Sequence, residues 1–184
     1  MNLQSNLTFL KKFFTQPGKN ASIWPTSDNS AELLCGSVDW ENVKTVLELG
    51  PGTWPVTKHI FKCMPASASY YGIEYDKEFM KLLQERFSKD QWTFIQGNIK
   101  DFATIMTSNA IPFPDVIIST LPNSVFETYP HLVDELAVYL AKWTVFRGIT
   151  YAPELLLDVY KHIKPKVIAH TWKNIPPLYV HWVN

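Results

Sequence analysis

The chain has 184 residues and a mass of 21.2 kDa, enough for one core that buries roughly two thirds of the unfolded surface and too little for two full domains. Seventeen Lys and Arg balance seventeen Asp and Glu, so the overall charge supplies no basic field of the kind that drives binding along a phosphate backbone, and a large nucleic-acid footprint is disfavoured. Charged residues are 18% against a usual value of about 25%, while Trp 7, Tyr 8 and Phe 11 are plentiful, which leaves aromatic surface for a ligand, partner or membrane.

From residue 1 to residue 27 there is no acidic side chain, while Lys11, Lys12 and Lys19 are present. Leu3, Leu7, Leu10 and Phe14 recur at helical spacing, which predicts a helix whose apolar face caps a cleft or lies in a membrane interface with its lysines toward anionic head groups. Residues 16–30 are rich in Pro, Gly, Asn and Ser and read as a linker. The expected division is therefore 1–30 as N-terminal helix and lid, and 31–184 as the core. No run of 18 apolar residues and no secretory pattern occurs, so a cytoplasmic protein is expected, its membrane contact being at most peripheral and carried by residues 1–19. Cys35 and Cys63 lack the spacing and neighbours of a metal site, so no metal is expected and both read as reduced thiols packed as small hydrophobes.

Beyond the linker, short β-rich runs alternate with segments of helical period. The strands fall at 45–49, 70–73, 92–96, 116–119 and 145–151. The helices fall at 55–64, 76–87 and 131–143, with a further helix opened by Pro153. Asp76 caps the second of these helices, and Phe79, Leu82, Leu83 and Phe87 form its apolar stripe. Two final runs, 166–169 and 179–182, are separated by Asn174-Ile175-Pro176-Pro177, which leaves no room for a crossover helix and predicts an antiparallel hairpin at the sheet edge. The fold class is α/β: a Rossmann-like sheet of seven strands, parallel except for the last, with helices on both faces.

Val46-Leu47-Glu48-Leu49-Gly50-Pro51-Gly52-Thr53 is a buried strand that breaks into a glycine turn before a helix. Such a turn lets a ligand approach bare backbone at the carboxyl end of a strand. Twenty-two residues beyond Gly52 the second strand ends in Ile73-Glu74, followed by Tyr75, where a carboxylate can accept from both hydroxyls of a ribose. A dinucleotide and S-adenosylmethionine both fit this pair. The third glycine position of the dinucleotide fingerprint is Pro55, and Glu48 beside the turn would repel a pyrophosphate by several kcal/mol if left uncompensated. S-adenosylmethionine brings no phosphate and carries a sulfonium and an ammonium, so the charge favours it. In the loop after the third strand, Asn98 is placed to bond an adenine amino group and Ile99 to cover the ring. After the fourth strand, Ser119-Thr120-Leu121-Pro122-Asn123 stands where a methyl acceptor must arrive.

This order of elements resembles the class I S-adenosylmethionine-dependent methyltransferases over nearly the whole chain. More narrowly it is similar to the small bacterial phospholipid N-methyltransferases, relatives of the ribosomal RNA adenine dimethylases. The residues carrying the resemblance are Phe9-Leu10-Lys11 to Pro17, Ala21-Ser22-Ile23-Trp24-Pro25-Thr26-Ser27, Glu48 to Thr53, Ser119-Thr120-Leu121-Pro122 and Asn174-Ile175-Pro176-Pro177. It implies that the glycine turn binds the cofactor, that Glu74 holds its ribose and that the Leu-Pro loop fronts the acceptor. Three positions depart from the pattern. Trp54 replaces a further glycine. Thr120-Leu121-Pro122-Asn123 replaces the Asn-Leu-Pro-Tyr with which adenine dimethylases clamp their target amine. Ala141-Lys142-Trp143 replaces a Pro-Gly-Gly turn.

The expected activity is methyl transfer to a nitrogen, with a phospholipid head-group amine such as phosphatidylethanolamine as acceptor. The alternatives are an RNA adenine methyltransferase and a non-catalytic protein in which Trp54 fills the pocket. A primary amine of pKa near 10.4 must lose its proton before it attacks, through desolvation or a base. The candidates at the mouth are His131 and Tyr151, with Asn123 to orient the amine. Phe126, Tyr129 and Tyr151 are the candidates to hold a cationic product.

Overall fold

The computed structural model describes residues 28–36, 38–160, 163–172 and 177–183. The expected N-terminal helix, lid and membrane-contact segment therefore lie outside the described residues, as do Asn174, Ile175 and Pro176. In chain order the elements are α1 (Asp28–Gly36), β1 (Thr45–Leu49), α2 (Pro55–Cys63), β2 (Ser69–Glu74), α3 (Lys77–Arg86), β3 (Trp92–Gln96), α4 (Phe102–Ser108), β4 (Val116–Ser119), α5 (Asn123–Thr128), α6 (His131–Leu140), β5 (Val145–Thr150), α7 (Leu156–Val159), β6 (Lys166–Thr171) and β7 (Leu178–Val183). Single 3-10 turns precede α4 and α7.

The strands form one seven-stranded sheet in the order β3-β2-β1-β4-β5-β7-β6. Every pairing from β3 to β5 is parallel, and β7 runs antiparallel to both of its neighbours. β1 and β4 are buried along their whole length, as strands covered by helices on both faces must be. On one face Leu47, Leu49, Ile73 and Ile117 pack with Phe102, Phe126, Leu136 and Tyr160 from α4 to α7 and its C-cap. On the other, Val46, Val116 and Ile118 pack with Leu34, Val56 and Ile60 of α1 and α2. Aromatic residues fill one corner, where Phe61 and Trp92 stack at 3.6 Å and Tyr70 lies edge-on to Phe61.

β1 pairs with β2 on one side and β4 on the other, so chain order reverses there. The carboxyl ends of β1, β2 and β4 frame the crevice in which open α/β sheets take their ligands. The Asp76 side chain accepts from the amides of Glu78 and Phe79 at 2.8 and 3.0 Å, capping α3 as the sequence requires.

Several local expectations are corrected. α1 begins at Asp28, inside the segment read as linker. α4 and α5 do not appear in the sequence reading because they are one to two turns long and rich in Thr, Ser and Asn, which favour turns over helix. α6 stops at Leu140, before a turn in which Trp143 takes a left-handed φ of 76° and is 91% exposed. Pro153 opens only a 3-10 turn followed by four helical residues. Cys35 is buried, but Cys63 is exposed rather than packed. Among the described residues no three His, Cys, Asp or Glu side chains gather as a metal site, and no helix is long and apolar enough to cross a membrane.

Candidate active site

The glycine turn is tied to strands on both sides. Gly50 and Gly52 take positive φ values of 77° and 53°, which glycine adopts without steric cost. The Gly50 amide donates to the Ile73 carbonyl at 2.9 Å, and the Thr120 amide donates to the Leu49 carbonyl at 3.1 Å. The Thr120 hydroxyl donates to the carbonyl of Gly50. A Cβ on Gly50 would stand 2.9 Å from Leu121 Cδ2, so the missing side chain is what lets the fourth-strand loop close against the turn. Pro51 is buried, and Thr53 is half-buried.

Glu74 closes this cradle from β2. Its Oε2 accepts from the Gly52 amide at 2.9 Å and its Oε1 from the Asp76 amide at 2.8 Å. Burial pushes its pKa up, opposed by the amides of Asp76 and Gly52. Each oxygen of a carboxylate accepts more than one hydrogen bond, so both retain capacity for the hydroxyls of a ribose. Tyr75, the next residue, is 71% exposed and offers an aromatic ring beside the carboxylate.

Glu48 departs from its expected place. It has no exposed surface and turns under the loop, where Thr57 Oγ1 and Tyr70 Oη both donate to its Oε2 at 2.8 and 2.6 Å. Burial raises its pKa to about 7, only partly offset by the hydroxyls of Tyr70 and Thr57. The expectation of an uncompensated carboxylate open to the ligand is corrected: strand alternation sends the side chain to the α2 face, and its Oε1 is buried without a hydrogen-bond partner.

At the remaining strand ends, Asn98 Oδ1 accepts from the Lys100 amide at 3.1 Å, which starts the 3-10 turn. Ile99 is 8% exposed and joins the core with Ile73 and Phe102. Ser119 is buried, and its Oγ accepts from the Leu121 amide at 3.3 Å, shaping the acceptor loop.

The three acceptor-side candidates lie in three different surroundings. Asn123 donates from Nδ2 to Thr150 Oγ1 at 2.9 Å, and Tyr151 follows Thr150 directly. Tyr151 is half-buried and packs on the core face shared with α1 and α2. His131 stands apart: exposed, it places Nε2 2.9 Å from the Lys100 carbonyl in the loop after β3. A carbonyl only accepts, so Nε2 is the donor in this contact. Phe126 is 2% exposed and packs on Tyr160 at 5.3 Å, which removes it from the candidates for a cationic product. Trp54 takes a left-handed φ of 65° at the cap of α2, and its ring lies 4.8 Å from the Arg86 guanidinium of α3, so the indole is directed to α3. Thr150 was not among the candidates, and Leu121 entered only as part of the acceptor loop, not as the side chain that closes on Gly50. Both act across long sequence separations, which no local pattern registers.

A backbone cradle that a Cβ would fill, closed by a carboxylate held at both oxygens, fits a phosphate-free nucleoside. Residues 26–169 match the sequence profile described as ribosomal RNA adenine dimethylase. The ornithine lipid N-methyltransferase of Singulisphaera acidiphila is 30% identical over 173 residues, covering 92% of this chain and 90% of that protein. Among solved structures, precorrin-6y C5,15-methyltransferase from Geobacter metallireducens superposes with a TM-score of 0.66 at 13% identity, over 90% of this chain and 92% of its own. TrmN from Thermus thermophilus gives a TM-score of 0.61 at 13% identity over 95% of this chain, which spans 53% of that one. The chain belongs to the ribosomal RNA adenine dimethylase family of S-adenosylmethionine-dependent methyltransferases.

Proposed function

We propose that the protein methylates the nitrogen of a lipid head-group amine, of the kind found in ornithine lipid or phosphatidylethanolamine. The observation carrying this reading is the 30% identity, along 92% of the chain, to an ornithine lipid N-methyltransferase. Two features of the acceptor loop support it. The position at which adenine dimethylases present Asn is Thr120, whose hydroxyl is committed to the Gly50 carbonyl. The position of their clamping aromatic is Asn123.

When bound, S-adenosylmethionine supplies an electrophilic methyl carbon on sulfur. In this reading the backbone of Gly50, Pro51, Gly52 and Thr53 cradles its amino-acid part, with Glu48 beneath the turn as a buried brace. Glu74 accepts from the ribose hydroxyls. Tyr75, Asn98 and Ile99 border the adenine, and Ser119 shapes the approach of the acceptor. The protein's contribution is positioning in an apolar cleft, where an incoming ammonium loses its proton more readily than in water. Residues 1–19 serve as a reversible membrane contact on the cytoplasmic face, their three lysines worth about 1 kcal/mol each near an anionic surface.

A second reading, methylation of an RNA adenine, is favoured by the family profile itself. The zero net charge and the replaced clamp residues weigh against it. Incubation with labelled methyl donor and a mixture of lipids, ribosomal RNA and small amines separates the two. Label in the lipid fraction supports the proposal, and label confined to RNA overturns it.

A further inference from the structure

The start of α5 and the end of β5 are joined by a contact that neither element's own sequence discloses. Asn123, the first residue of α5, donates from Nδ2 to Thr150 Oγ1 at 2.9 Å. Thr150 is the last residue of β5 and 3% exposed. Its Oγ1 accepts a second hydrogen bond, from the Ala152 amide at 3.0 Å, so the hydroxyl is fixed from two directions. The other end of the Asn123 amide, Oδ1, is buried and has no hydrogen-bond partner. A buried carbonyl oxygen without a donor is costly, and the cost disappears if the donor arrives with the substrate.

We infer that Thr150 is a positioning residue: it holds the nitrogen end of the Asn123 amide so that Oδ1 is left to accept an N–H of the substrate amine. The inference rests on the amine reading given above. An acceptor atom takes hold of an N–H and leaves the nitrogen lone pair free for the methyl carbon. As the N–C bond forms, the C–S bond breaks with its electron pair leaving on sulfur, and the nitrogen's surplus proton passes to solvent. The same geometry gives no hold on a thiolate or carboxylate, which has no hydrogen to donate.

Methyl transfer to vesicles carrying ornithine lipid or phosphatidylethanolamine, and in parallel to a ribosomal RNA fragment, tests this with four single variants and two double ones. Thr150→Val keeps the volume and removes the acceptor for Nδ2. It should lower kcat about tenfold or more while changing KM for the cofactor by less than about twofold. Thr150→Ser should restore kcat to within about threefold of wild type. Asn123→Ala should lose as much as Thr150→Val, and their combination no more than the worse single change, as expected of two groups acting as one unit. Asn123→Asp presents oxygen at both ends and needs no orienting, so in its background Thr150→Val should be without effect.

Wild-type kcat in Thr150→Val, losses that multiply in the double variant, or an equal Thr150→Val effect in the Asn123→Asp background would each overturn the inference. Affinity for S-adenosylhomocysteine and the thermal midpoint establish that each variant folds. If Thr150→Val fails that control, the contrast between an impaired Asn123→Ala and an active Asn123→Asp decides, and equal impairment of both overturns the inference. If wild type labels only the RNA fragment, the lipid reading fails, while the coupling of residues 123 and 150 is still read on that acceptor.

Discussion

The Gly52 amide donates to Glu74 Oε2 at 2.9 Å, so the residue expected to hold the ribose also pins the turn expected to hold the rest of the cofactor. Removing the carboxylate acts on both. Glu74→Ala should weaken binding of S-adenosylhomocysteine by roughly 1–3 kcal/mol through lost hydrogen bonds, read by titration calorimetry. Unchanged affinity would place the ribose elsewhere and reduce Glu74 to a brace for the turn.

Gly50 and Gly52 share a left-handed backbone but not the same surroundings. A Cβ on Gly52 meets only the Gly50 carbonyl at 3.7 Å, whereas one on Gly50 meets Leu121 Cδ2 at 2.9 Å and Thr120 Oγ1 at 3.5 Å. Gly52→Ala should therefore cost about 1 kcal/mol of folding stability for the disfavoured φ alone. Gly50→Ala should cost more, because Leu121 must also give way and the acceptor loop moves with it. Urea midpoints and turnover measured on the two variants check this, with Gly50→Ala the slower enzyme. Equal effects would show that Leu121 yields freely.

The strands and the final hairpin were legible because β-branched and apolar runs mark strands locally, and the short Asn174 to Pro177 connection dictated an antiparallel return, whereas the strand order was not. Glu74 was legible as the acidic end of the second strand. The orientation of Glu48 was not. Period-two alternation puts it on the face opposite Leu47 and Leu49, but β1 is buried on both faces, and nothing in that run says which face the ligand meets. His131 follows the same logic, since its partner Lys100 is 31 residues away. Tertiary placement decided both.

Trp54 occupies a left-handed position, φ 65°, where the strain of a non-glycine residue is about 1–2 kcal/mol. Its compensation is the Arg86 guanidinium 4.8 Å from the ring, worth about 0.5–1 kcal/mol at a partly exposed site. Trp54→Gly relieves the first and forfeits the second, while making the unfolded chain more flexible. The urea midpoint should move by less than about 1 kcal/mol equivalent. Affinity for S-adenosylhomocysteine should hold or rise, since the indole is directed to α3. A collapse of affinity would mean that the ring stacks on the ligand instead.

Two buried titratable groups push the pH dependence of stability in opposite directions. Glu48 is wholly buried, and desolvation raises its pKa from 4.5 to about 7. The folded state therefore keeps a proton that the unfolded state has lost, and the stability this gives is complete below pH 4.5 and disappears as pH rises to about 7. His181 of β7 is 1% exposed against Phe146 and Tyr160, with neither ring nitrogen hydrogen-bonded. Desolvation lowers its pKa from 6.5 to about 4. Its contribution is complete above pH 6.5 and is lost as pH falls to about 4. Each amounts to about 3 kcal/mol, so between pH 4.5 and 6.5 the two slopes largely cancel. In Glu48→Gln the histidine slope is left uncovered, and urea stability should climb with pH across that window. In His181→Leu the carboxylate slope is left, and stability should fall. Glu74, whose pKa is also raised by burial and whose charge adds to the upward shift of Glu48, slopes in the same direction as Glu48; it is retained in His181→Leu and leaves a smaller opposing slope in Glu48→Gln. Parallel curves for wild type and both variants would mean that neither group is buried in the ionisation state that its surroundings dictate.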